Sequence, residues 1–305
     1  MRKNIFFLLL GMLFALPLAA QVQKSRTFRA LSEILSFPLH ALRLGIKRPS
    51  TLNIEKVSYG TDERQYMLIC ESKFVKPYRN TTIFYVHGGG WSVGKPEQHL
   101  LFAEMLARQG YRVILPAYRL LPKHTFPDME LDIDNGFRAA QNYLQTKHLP
   151  TQMVVGGVSA GGSLASILAL NGQKDPQKQA DIVGLFAISA VLDLDLARKN
   201  AVLKKYTQNY DNAVWQQANP ISYLSNQPLK MPILCIHSKQ DHLVEYALAE
   251  SFVEKAKQAH QQQDVRLYTI EKGKHIAVSS KWYYKPKEYA GQLDVLLQWL
   301  NEHGC

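Results

Sequence analysis

Cysteine is scarce in this chain of 305 residues: there are three, Cys70, Cys235 and Cys305. An odd count excludes a fully paired disulfide framework and leaves at least one thiol free. Cys70 and Cys235 fall in apolar, strand-like runs (67–70 and 233–236), which predicts buried thiols. No Cys/His spacing suits zinc, no phosphate-binding loop is present, and there is no internal repeat or low-complexity tract. Acidic residues are outnumbered, 25 against 36 Lys and Arg, for a formal net charge of +11. The basic residues are scattered, as in Lys47-Arg48, Lys204-Lys205, Lys272 and Lys274. Without a basic helix or an aromatic–basic stripe, the composition argues against nucleic acid as partner. A cationic surface suits contact with anionic lipid or cell-envelope polymers, and equally a generically basic exported protein.

Long apolar runs are missing too, with one exception. Residues 5–18 are apolar, follow Arg2 and Lys3, and end in Leu18-Ala19-Ala20. This is the pattern of a secretory signal peptide over residues 1–20, which places the protein in an exported, periplasmic or secreted, location. The run falls short of the roughly 20 apolar residues of a spanning helix; an uncleaved anchor is the alternative. No cysteine directly follows it, which argues against a lipoprotein anchor.

With 46% hydrophobic and 20% charged residues, the remainder suits a globular enzyme: one large α/β domain with a small appendage. In residues 21–50, Phe28, Leu31, Ile34, Leu35, Phe37, Leu39, Leu42 and Leu44 recur at near-helical spacing. Two short amphipathic helices broken at Pro38 are expected, as a cap over an active site or as a peripheral membrane contact through residues 25–47. Over 51–305, strand-like runs near 53–59, 65–71, 82–86, 111–116, 152–157, 182–190, 232–237 and 265–270 alternate with helical runs near 97–109, 129–146, 161–171, 244–261 and 287–302. That order predicts a central, mostly parallel, eight-stranded sheet flanked by helices on both faces. The turn at Gly60-Thr61-Asp62 makes the first pair antiparallel. Residues 193–230 interrupt the alternation. A helical insert is expected there, its Tyr206, Tyr210, Trp215 and Tyr223 packing or lining an acyl pocket.

Two short strings carry the chemistry. Gly157-Val158-Ser159-Ala160-Gly161 follows a strand-like run and opens a helical one. A serine on such a turn projects its hydroxyl beyond the sheet, at the positive end of the new helix. His87-Gly88-Gly89-Gly90-Trp91 follows the strand-like run 82–86. Its glycines Gly88, Gly89 and Gly90 leave amide N–H groups bare, as a developing oxyanion requires. A serine hydroxyl needs a general base, and the base an orienting carboxylate. Asp241, just past the run 233–237, and His275, in the loop past 265–270, come in the right order and at the right sheet edge. Asp193, Asp195, Glu245 and Glu250 are rival carboxylates; His237 and His303 are rival bases.

These strings, with Tyr118-Arg119-Leu120-Leu121-Pro122, Phe126-Pro127, Gly162 and Leu243-Val244, resemble the hormone-sensitive-lipase-type branch of the α/β-hydrolases, a family of esterases and lipases, over roughly residues 53–303. The resemblance implies an α/β-hydrolase fold with a small helical cap. It implies Ser159 as nucleophile, His275 as base and Asp241 as its partner. The oxyanion donors would be the N–H groups of Gly89, Gly90 and Ala160, with His87 supporting the loop. Two departures stand out: Val158 replaces the acidic residue that usually precedes the nucleophile, and Ile276-Ala277 replaces the usual Gly-Phe after the base. The expected activity is carboxylic ester hydrolysis of short-to-medium acyl or aryl esters through an acyl-enzyme, with a small-molecule ester or lipid substrate and no metal or cofactor. An amidase, peptidase or lactonase would use the same triad; a non-catalytic hydrolase-like module at the cell envelope is the alternative from another class.

A histidine base predicts a rate that falls on acidification toward pH ~6, because an imidazole of ordinary pKa, about 6.5, takes up a proton there. A pH–rate profile checks this; a rate flat down to about pH 4 would remove histidine from the mechanism.

Overall fold

Both faces of a parallel sheet need cover, and here each face has its own set of helices. The computed structural model describes residues 49–75, 79–172, 175–224, 230–259, 264–281 and 290–305. Its strands are β1 (Leu52–Ser58), β2 (Tyr66–Ser72), β3 (Thr82–Val86), β4 (Arg112–Pro116), β5 (Met153–Val158), β6 (Ile182–Ile188), β7 (Ile233–Ser238) and β8 (Val265–Ile270). They form one sheet in the order β1-β2-β4-β3-β5-β6-β7-β8. β1, β2 and β4 pair antiparallel; every pair from β4–β3 onward is parallel. The mostly parallel, eight-stranded sheet is the one the alternation of strands and helices predicts, and its topology is that of the α/β-hydrolase fold the resemblance implies.

Every residue of β3, β4, β5 and β7 is buried, as expected of strands covered on both sides. On one face lie α2 (Phe126–Thr146), α3 (Ala160–Gly172) and α7 (Tyr246–Ala259), contributing Phe126, Phe137, Leu164 and Phe252 to a core with Phe84 and Val155. On the other lie α1 (Leu100–Ala107) and α8 (Ala290–Glu302), contributing Phe102, Leu106 and Trp299 to a core with Tyr85 and Phe186. Side-chain direction alternates along each strand, so the neighbours Phe84 and Tyr85 serve opposite cores. Fully burying one such aromatic contributes about 1.5–3 kcal/mol.

Element ends differ from the periodicity for local reasons. α2 begins at Phe126 rather than near 129, because Asp128 Oδ2 accepts the Thr125 N–H at 3.2 Å and Pro127 occupies the first turn. A tight 3₁₀ turn, Pro96–His99, replaces the expected first turn of α1. Between α3 and β6 lies the short helix α4 (Pro176–Asp181), which the pattern had not shown. Residues 193–230 hold α5 (Ala201–Tyr206), α6 (Asn212–Ala218) and the turn Pro220–Tyr223. Asp195 ties that region down, accepting from Trp215 Nε1 at 2.7 Å and Asn219 Nδ2 at 3.2 Å.

Cys70, Cys235 and Cys305 are all free and buried. Burial pushes the Cys70 and Cys235 thiols up to about 12, so neither is a ready nucleophile. The signal-peptide segment 1–20 and all but the last two residues of the expected cap, 21–50, lie outside the described residues. Among the described residues, no helix is long and apolar enough to cross a membrane.

Candidate active site

The turn between β5 and α3 is tight enough to dictate its own residues. Ser159 has φ 53°, a left-handed conformation, and its N–H is held by Ile188 O at 2.9 Å. A Cβ on Gly157 would sit 2.6 Å from Gly161 O across the bend. On Gly161 it would meet the neighbouring strand instead, 2.4 Å from Val86 O and 2.2 Å from His87 O. On Gly162 it would stand 2.6 Å from the Ala190 Cβ, so this glycine sets how closely α3 approaches the end of β6.

At this turn the three expected side chains meet. Ser159 Oγ lies 3.0 Å from His275 Nε2, and His275 Nδ1 lies 2.6 Å from Asp241 Oδ2. A carboxylate only accepts, so Nδ1 carries the proton and Nε2 is free to accept the serine hydroxyl. The other carboxylate oxygen, Asp241 Oδ1, accepts the Leu243 and Val244 N–H groups at 3.0 and 2.9 Å. Burial by itself would raise the Asp241 pKa. The His275 ring beside it, its hydrogen bond, and lesser contributions from His237 and the Val244 N–H outweigh burial and hold Asp241 below the usual carboxylate range.

The glycine loop lies against the same turn. A Cβ on Gly88 would stand 2.9 Å from Val158 O and 3.3 Å from the Ser159 Cβ, so the loop and Ser159 are in direct contact. Gly89 (φ 130°) and Gly90 (φ 57°) adopt conformations that favour glycine. A Cβ on Gly90 would meet nothing within 4 Å; there the loop opens. Among the described residues, the backbone N–H groups of Gly88, Gly89, Gly90 and Ala160 have no acceptor.

His87 is buried beneath the loop. Its Nδ1–H donates to Gly88 O at 2.9 Å, its carbonyl accepts from Tyr118 Oη at 3.0 Å, and its ring stacks on Tyr118 at 4.4 Å. Sequence reasoning missed two members of this support. Gly94 (φ 105°) must be glycine, since a Cβ would reach 2.3 Å from Gly88 O. Arg64 donates to Gly94 O at 2.6 Å and to Tyr118 O at 2.8 Å, tying the loop to the chain after β4. The Gly94-Lys-Pro96 turn signal was there to be read; nothing local marks Arg64.

Four of the six rivals, Asp193, Asp195, Glu245 and His303, are engaged elsewhere. Asp193 accepts from Ser251 Oγ at 2.7 Å, Glu245 pairs with Arg198 at 2.9 Å, and His303 pairs with Asp264 at 3.1 Å. Glu250 lies on α7. His237 is buried 3.5 Å from Asp241. Val158, Ile276 and Ala277, the departures from the family pattern, are buried.

A serine, an imidazole and a buried carboxylate in series, beside unengaged amides at the C-terminal edge of a mostly parallel sheet, define a protein of the α/β-hydrolase class. The chain belongs to that family: a family model described as alpha/beta hydrolase fold matches residues 83–275. Esterase LipC of Mycobacterium tuberculosis is 26% identical over 221 residues, 66% of this chain and 54% of that protein. The chain thus spans about half the length of this curated relative. Among solved structures, a tributyrin-phosphonate-inhibited esterase B from Lactobacillus rhamnosis superposes with TM-score 0.73 at 18% identity, over 92% of this chain and 96% of that one. The hormone-sensitive-lipase homologue EstE7 from a metagenome library gives 0.69 at 18%, over 93% and 98%.

Burial drives the His87 pKa from 6.5 down to about 3, against the bond to the Gly88 carbonyl, which favours the proton. Folded, His87 stays neutral down to about pH 3; unfolded, it takes up a proton near pH 6.5. Between those values the unfolded state binds the extra proton, so the fold loses stability as pH falls. Urea unfolding from pH 7 to 4.5 should show this loss, and His87→Asn should flatten the slope while lowering stability at pH 7.

Proposed function

We propose that this protein is a serine carboxylic ester hydrolase. The observation that carries the reading is the continuous chain from Ser159 Oγ through His275 to Asp241, at 3.0 and 2.6 Å. In the reaction, the Ser159 hydroxyl passes its proton to His275 Nε2 and Oγ attacks the ester carbonyl. The imidazolium that forms is stabilised by the Asp241 carboxylate, which stays ionised. Negative charge on the carbonyl oxygen is met by the amides of the glycine loop and Ala160, at the positive end of α3. His275 then hands its proton to the leaving alcohol, leaving the acyl group on Ser159. Water, activated by the same imidazole, releases the acid. The names of the relatives, esterases among them, support the ester reading.

The substrate reading is short-to-medium acyl or aryl esters. Apolar spacing in residues 21–50 supports a cap over the site, and the aromatic residues of the insert support an apolar wall: Trp91, next to Gly90, stacks on Tyr206 at 4.0 Å. Ser159→Ala should lower p-nitrophenyl butyrate hydrolysis by about 1000-fold or more and abolish labelling by a fluorophosphonate probe. Undiminished hydrolysis by the variant would exclude the serine. The charged, apolar and small-residue pattern of residues 1–20 supports export. Processing after Ala20, seen as the mass of the chain recovered from an expressing bacterium's periplasm or medium, tests it.

A further inference from the structure

His237 takes no part in the steps above, yet it sits behind them. It lies in β7, four residues before Asp241, with a side chain only 1% exposed. Its Nε2 is 2.9 Å from Val244 O. A carbonyl only accepts, so this nitrogen carries the proton and the tautomer is set. The same nitrogen lies 3.5 Å from Asp241 Oδ2, the oxygen that accepts His275 Nδ1–H at 2.6 Å. The Val244 N–H, meanwhile, donates to Asp241 Oδ1 at 2.9 Å. Val244 is therefore gripped at both its polar backbone atoms: its carbonyl by His237, its amide by the carboxylate.

We infer that His237 is a positioning residue, which clamps the 241–244 turn so that one oxygen of Asp241 stays aimed at His275, and which presents to that oxygen an N–H dipole rather than a positive charge. The inference rests on the hydrolase reading of Ser159, His275 and Asp241. Its second half follows from competition. A cationic ring 3.5 Å from Oδ2 would share the carboxylate's charge and weaken its hold on the His275 imidazolium. Burial is the largest influence on His237 and depresses its pKa; Asp241 and the Val244 carbonyl oppose this, and His275 adds to it. From α7, Tyr246 faces the ring edge-on at 6.0 Å, its hydroxyl engaged with Thr269 Oγ1 of β8 at 2.6 Å. A neutral His237 leaves Asp241 to the base.

The test compares His237→Leu, which removes the donor, with His237→Gln, whose amide N–H reaches toward the place of Nε2. In the Leu variant kcat should fall about 10- to 100-fold, the scale of a misaligned catalytic group, with KM within about twofold. The low-field proton resonance of the His275–Asp241 bond should move or vanish. The acid limb of kcat/KM should shift to lower pH, since a less well-held imidazolium gives up its proton more readily. Gln should restore most of kcat and the resonance. A Leu variant with wild-type kcat, or one that loses kcat with resonance and acid limb in place, overturns the inference and leaves His237 a packing residue. Should Leu not fold, His237→Asn, polar but too short to reach Val244 O, takes its place with the same expectations. Recording the resonance in Ser159→Ala as well keeps the two readings apart, because it reports the His275–Asp241 contact with the chemistry switched off.

Discussion

The carbonyl oxygens of Val86 and His87 occupy the space that any side chain on residue 161 would need. This exclusion ties the site together. β3 and β5 are adjacent parallel strands, paired in register from Thr82 with Met153 to Val86 with Gly157. Where they end, one chain becomes the glycine loop and the other the serine turn. The two can run in contact only because Gly88 and Gly161 lack side chains, and the serine turn itself can close only because Gly157 does. A methyl group at any of these three positions would push the amides away from the hydroxyl, and an oxyanion site is sensitive to shifts of that size.

What holds the loop from beneath is polar, buried and itself held. Tyr118 bonds the His87 carbonyl and stacks on its ring; Arg64 bonds both Tyr118 O and Gly94 O. Arg119, the next residue, is anchored by Asp132, a fully buried carboxylate that accepts its N–H at 2.9 Å and its guanidinium at 2.8 Å. Gln65 donates to the same carboxylate at 2.7 Å. A buried charge that is paired and multiply hydrogen-bonded is tolerated, whereas removing one partner is costly. The motif residues around Tyr118 therefore act on the site at one remove, by fixing the platform on which the glycine loop lies.

Three buried side chains at the site face different electrostatic demands, and burial answers each differently. Asp241 must stay ionised although buried, and it does so through one histidine bond and two backbone N–H bonds. His87 must stay neutral to hold its bond to Gly88 O without placing a charge under the loop, and burial, aided by the nearby His99 and Arg64, outweighs the bond to the Gly88 carbonyl. His275 lies between the two regimes, bonded to a charge on one side and to a hydroxyl on the other. Its ring is shielded, yet its Nε2 reaches the half-exposed end of the serine turn.

Much of this was legible in the chain itself. The eight strands, most of the helices between them and the two glycine-rich strings follow from local rules: side-chain period, turn chemistry and the steric needs of a sharp bend. Gly157, Gly161 and the His87-Gly88-Gly89-Gly90 string could be recognised because each requirement acts over a few neighbouring residues. Convergence was a different matter. β5 and β8 are three places apart in the sheet, roughly 14 Å at ordinary strand spacing, yet Ser159 and His275 end 3.0 Å apart. Loop paths, not strand positions, close that gap, and no local pattern encodes a loop path. Arg64 beneath the glycine loop, Asp132 behind Arg119 and His237 behind Asp241 were hidden for the same reason. Short-range sterics can be read along the chain, but a hydrogen bond between residues thirty or a hundred positions apart exists only once packing has set the distance between them.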